Sequence, residues 1–67
     1  MLIKIGDFRY NWRNIESYHP DGDLRIVIRT ATEIRGFKFK DNISRNNALA
    51  SLDEAISNNC SCEIKVN

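Results

Sequence analysis

The stretch Asp23–Lys40, DLRIVIRTATEIRGFKFK, decides the fold. Leu24, Ile26 and Ile28 alternate with Arg25, Val27 and Arg29, which is the two-residue period of a half-buried strand. Ile34, Phe37 and Phe39 form a second apolar set, stepped by one residue across Gly36. The two runs read as an antiparallel hairpin at the middle of a sheet, linked through Ala31-Thr32, with a bulge or sharp bend expected at Gly36.

Toward the N-terminus, His19-Pro20-Asp21-Gly22-Asp23 is a turn, because proline presets the backbone at its second position and glycine suits its fourth. It joins the central strand to a short one over Ile15–His19, with Ile15 and either Ser17 or Tyr18 facing inward. Asn11–Asn14 reads as a second turn. Before it, Gly6-Asp7 suits a type II′ hairpin in which Ile5 opposes Phe8 and Ile3 opposes Tyr10. The alternative is one long strand bulged at Gly6; either arrangement turns the same four side chains inward.

Toward the C-terminus lies one strong helix. Ser44 is its expected N-cap, with Ile43 and Ala48 as a hydrophobic staple. Ala48, Leu49, Leu52, Ala55 and Ile56 recur at helical spacing and form one apolar stripe. Asn58-Asn59 ends it, since asparagine tolerates the left-handed conformation that helix termini use. Cys60, Cys62, Ile64 and Val66 then alternate with polar residues as a last half-buried strand. The expected class is α+β: an antiparallel sheet of about five strands, one helix on one face, and a strand after the helix. Leu52 and Ile56 should press onto Ile26, Ile28 and Phe39.

A chain of 67 residues is expected to be a single domain over 1–67. It buries only about 60% of the surface its unfolded chain exposes, which leaves little room for a deep cleft beside a core. Net charge is +1. Residues 1–40 carry a balance of +3 and residues 41–67 one of −2, so the sheet is mildly basic and the helical end mildly acidic. No apolar run approaches the roughly 18 residues of a membrane span. MLIKIGDF lacks the basic start and apolar core of a signal peptide, so a cytoplasmic location is expected, in a bacterial or host cell.

Chemistry-bearing patterns are sparse. The C-x-C of Cys60 and Cys62 lacks the spacing and ligand count of a zinc site, and two inward-facing core thiols are expected instead. The His19–Asp23 segment lacks the later carboxylate of a calcium loop. The three glycines are scattered, which excludes a phosphate-binding loop, and no serine sits in a nucleophile elbow. No catalytic, metal or cofactor role is therefore expected.

An aromatic and basic group stands out: Arg9, Trp12, Arg13, Tyr18, Arg25, Arg29 and Lys38 are the candidate partner-binding residues. The order of signals, GDFRYNWRNIESY followed by a strand pair and an amphipathic helix, is similar to that of many short bacterial and phage proteins and transfers no site residue. A small non-enzymatic interaction module is expected, acting on a protein partner, of a size that suits a phage or mobile-element accessory protein or inhibitor. Apolar strand residues exceed what one helix covers, so a homo-oligomer is expected as well. The alternatives are nucleic-acid binding through a basic sheet face of Arg25, Arg29, Arg35, Lys38 and Lys40, and a small-molecule sponge at an oligomer interface.

Overall fold

The computed structural model describes residues 2–66. The alternating segments form β1 (Leu2–Ile5), β2 (Phe8–Asn11), β3 (Ile15–Asp21), β4 (Arg25–Thr30), β5 (Ile34–Lys38) and β6 (Cys62–Ile64), with α1 (Asn42–Asn58) between β5 and β6. A 3-10 turn, Trp12–Asn14, separates β2 from β3. The α+β class, the single helix and the strand after it are all present. The strands divide into two three-stranded sheets, ordered β2-β1-β6 and β3-β4-β5. The break falls at the 3-10 turn, where the chain leaves β2 before it can pair onward.

The Gly6-Asp7 hairpin has the expected register, Ile3 opposite Tyr10 and Ile5 opposite Phe8. Gly6 has φ of 58°, the left-handed value required at the first position of that loop. β6 runs parallel to β1, pairing Ile3 with Cys62 and Ile5 with Ile64. In the other sheet, β4 is antiparallel to both neighbours. The β4–β5 connection lacks glycine and is closed by Thr30, whose hydroxyl accepts from the Glu33 N–H at 3.2 Å. The β3–β4 turn is held from the helix, where Arg45 donates to the Gly22 carbonyl at 2.9 Å.

Three walls meet in one core. Ile3, Ile5, Tyr10 and Ile64 come from the first sheet, Ile26, Ile28 and Phe37 from the second, and Ala48 and Leu52 from the helix, with Phe39 just past β5. Ile56 packs against the same cluster. The two sheets thus bury isoleucines in one shared core.

Several expectations are corrected. There is no bulge at Gly36: β5 pairs in unbroken register, Val27 opposite Gly36 and Ile26 opposite Phe37. Ile34 consequently faces outward and is 67% exposed. The guanidinium of Arg25 crosses Gly36 instead, and a side chain there would require that flexible arginine to swing aside. Phe8 is 41% exposed because it sits at the hairpin end of an edge strand. Its ring meets Phe37 edge-on at 5.7 Å, and the Arg35 guanidinium lies 3.9 Å over it.

The helix cap is Asp41, not Ser44. Asp41 stays extended (φ −153°, ψ 171°) and its carboxylate accepts from the Ser44 N–H at 2.7 Å. Ser44 therefore lies inside the first turn, and Ile43, 68% exposed, makes no staple. Asn59 is left-handed (φ 53°, ψ 46°), and Cys60 N–H reaches back to the Ala55 carbonyl at 3.0 Å, so the chain turns away as expected. That turn leaves Cys60 exposed, and only Cys62 points inward. No helix among the described residues is long and apolar enough to cross a membrane.

Leu52 is fully buried between the sheets. Leu52→Ala should cost about 2–5 kcal/mol in a denaturant melt, by lost burial and an unfilled cavity. Ile43→Ser, on the exposed side of the same helix, should stay within about 0.5 kcal/mol of wild type. Equal effects would contradict this packing.

Candidate functional site

The seven residues singled out from the sequence fall into two groups. Arg9, Trp12, Arg13 and Tyr18 gather around the 3-10 turn. Arg25, Arg29 and Lys38 lie on the outer face of the second sheet.

The 3-10 turn is set by Asn11, whose backbone is still extended while its side-chain oxygen accepts from the Arg13 N–H at 3.1 Å. Ile15 closes the turn by donating to the Trp12 carbonyl. Trp12 is thereby laid half-buried against the core, with the Arg13 guanidinium 5.9 Å from its ring centroid. A register shift between Ile15 and Ser17 follows. It resolves the open choice on β3: Tyr18, not Ser17, turns inward with Ile15.

The Tyr18 hydroxyl donates to Asp53 Oδ1 at 2.5 Å, fastening the edge strand β3 to α1. Burial and then the Asp53 carboxylate push the Tyr18 hydroxyl up to about 12. Trp12, Ile15, Tyr18 and Ile56 wall a groove of about 340 Å³, with Arg13 and Glu16 at its margin. Arg9, on the outer side of β2, borders a neighbouring polar groove instead.

On the second sheet, Arg25 and Arg29 alternate with buried Ile26 and Ile28, so both face outward, and Lys38 lies opposite Arg25. Their charges are partly answered. Asp21 lies 3.9 Å from Arg25, and Glu16 lies 3.8 Å from Arg29. Arg35 does not belong to this face. It pairs across from Ile28, holds Glu33 at 2.9 Å and covers Phe8. Lys40 lies past the end of β5. The basic face therefore loses Arg35 and keeps Arg25, Arg29 and Lys38, the two arginines in ion pairs, with Lys40 beyond the end of the strand.

Ile56 completes the aromatic groove and Asp53 ties down Tyr18, both from 35 residues or more along the chain, and nothing in their local sequence announces it. Cys62, half-buried, has its thiol pushed up by burial and by Cys60 beside it.

The tyrosine environment sets a pH dependence. A folded-state value of about 12 against 10.0 unfolded means that Tyr18 keeps its proton in the fold after it would lose it in the open chain. This contribution is intact below pH 10 and is lost as pH rises toward 12. Tyr10, also raised by burial, acts in the same direction. Alkaline absorbance titration should show both tyrosines ionising above the ordinary range, and Tyr18→Phe should flatten part of the stability fall between pH 10 and 12. An ordinary value for Tyr18 would remove the Asp53 contact.

Comparison of the chain with protein families, with curated proteins and with solved structures finds no match.

Proposed function

We propose that this chain is a small non-enzymatic interaction module that takes a protein segment in the groove of Trp12, Ile15, Tyr18 and Ile56. The carrying observation is the composition of that groove. Trp, Tyr and Arg are the residue types that most often anchor protein interfaces, and Trp12, Tyr18 and Arg13 meet at one concave place. The walls accept an apolar side chain. Among the described residues Arg13 forms no ion pair, so it is available for a carboxylate beside that side chain. The occupant is therefore an extended segment carrying an apolar residue next to Asp or Glu.

Edge strand β3 borders the groove, yet Pro20 and the shift at Glu16 interrupt its free edge. Recognition accordingly runs through side chains more than through added strand pairing. The exposed thiol of Cys60 suits a reducing, cytoplasmic setting. An accessory or inhibitory role, of the kind mobile elements encode, fits a module with one small contact surface.

Trp12 is the only tryptophan, so its fluorescence reports occupancy directly. Selection from a random peptide library should enrich segments with an apolar residue flanked by acid. Followed by calorimetry, which does not need the tryptophan, binding should weaken at least tenfold in Trp12→Ala, equivalent to about 1.4 kcal/mol, and should also weaken in Ile56→Ser and Arg13→Gln. Enrichment without that signature, no enrichment, or affinity unchanged in Trp12→Ala and Ile56→Ser would each overturn the reading.

A second reading rests on Arg25, Arg29 and Lys38 sharing one outer face. It requires retention on an oligonucleotide resin at low salt, released steeply as salt rises. The ion pairs to Asp21 and Glu16 make it the weaker of the two, and absence of retention at low salt would end it.

A further inference from the structure

We infer that the polar groove between β2, the 3-10 turn and the β4–β5 turn is a binding site for a small anion bearing a phosphate or carboxylate group. It encloses about 470 Å³ and shares only Arg13 and Glu16 with the aromatic groove. That volume lies in the ordinary range for small-ligand sites, roughly 300–1,000 Å³.

Charge points to the class of ligand. The groove is lined by two guanidiniums, Arg9 and Arg13, and two carboxylates, Glu16 and Glu33. Each carboxylate has an arginine from outside the lining beside it, and Glu33 is hydrogen-bonded to its own. Arg29 lies 3.8 Å from Glu16, and Arg35 holds Glu33 at 2.9 Å with a second contact at 3.5 Å. Among the described residues, Arg9 and Arg13 form no ion pair. The groove thus presents two uncommitted planar forks, the geometry that grips phosphate or carboxylate through paired hydrogen bonds.

An independent observation lies in the same lining. Tyr10 is 8% exposed, and its hydroxyl is buried without a hydrogen-bond partner among the described residues. Such orphaned groups are uncommon in folded proteins. Arg35, which holds Glu33 and covers the Phe8 ring, is close enough to act on the Tyr10 oxygen, but as a cation it can only donate and leaves the hydroxyl proton without an acceptor. A tyrosine hydroxyl carries its proton at neutral pH, and among the described residues nothing accepts this one. Asn11 adds to this supply: its oxygen is committed to the Arg13 N–H, which leaves its amide hydrogens free.

The test is an amide-resolved NMR titration of the full chain with inorganic phosphate and, separately, citrate, with chloride adjusted to constant ionic strength. The expected result is saturable shifts confined to residues 9–14 and 30–33. They should weaken at least tenfold in Arg9→Gln and measurably in Tyr10→Phe, which keeps the ring and so the packing. Ile56→Ser, at a residue that lines the aromatic groove and not this one, should leave this titration unchanged once the variant is shown to be folded, so the two sites can fail separately. Tighter binding of phosphate or of citrate identifies the source of the anionic group, and either order supports the site. Shifts that rise without saturating and are equally large around Arg25 and Lys38, or that survive in Arg9→Gln, would overturn it.

Discussion

Five side chains are almost wholly withdrawn from water: Ile3, Ile5, Ile26, Ile28 and Leu52. They come from β1, from β4 and from α1. Because β1 and β4 are the central strands of their sheets, each stands between two others and offers a pleat of isoleucine to the interior. Leu52 fills the space those pleats leave. A chain of this length has no second core to fall back on, so every other placement follows from this meeting. β2 and β6 are held by pairing to β1, β3 and β5 by pairing to β4, and the helix by the residue it inserts between them.

Much of that plan is legible in the residues. The alternation of Leu24–Arg29 gives β4 its period and assigns Arg25 and Arg29 to the outside. Gly6 announces a hairpin whose loop length alone fixes Ile3 against Tyr10. Asn59 marks the helix end because few residues other than glycine adopt its backbone at low cost. The grouping of strands is not legible. Local pattern specifies which face of a strand is wet, and says nothing about which partner lies alongside it. β1 and β6 are separated by nearly the whole chain, and they pair only because the helix delivers one beside the other. The parity change at Gly36 misleads for a related reason. One exposed isoleucine, Ile34, imitates a shifted register, and only the pairing with β4 distinguishes the two. The cap at Asp41 shows the same limit on a smaller scale, since both Asp41 and Ser44 have suitable side chains and the extended backbone of Asp41 decides between them.

The candidate sites divide in the same way. Trp12, Arg13 and Tyr18 are close in sequence, and their aromatic and basic character marks them without any structure. The inward turn of Tyr18 depends on the shift at Glu16, which sequence leaves open. Asp53 and Ile56 depend on the helix docking against β3 and carry no local signal. Arg35 is the opposite case: its neighbours suggest a basic face, whereas its parity and Glu33 take it to the other side of the strand.

Rigidity at the two grooves is also unequal. The aromatic groove has one wall on β3 and one on α1, and the Tyr18 to Asp53 bond is the polar tie between them. The groove of Arg9 and Tyr10 is framed by a 3-10 turn that Asn11 stabilises and by a β4–β5 turn that Thr30 closes, so local hydrogen bonds shape it without help from the helix. Loosening the helix should therefore open the first groove and leave the second intact. Arg13 belongs to both. An anion drawn onto it from one side competes with a carboxylate drawn from the other, because one guanidinium cannot complete two paired contacts at once. The 3-10 turn is then the place where the two surfaces of this small protein would influence each other.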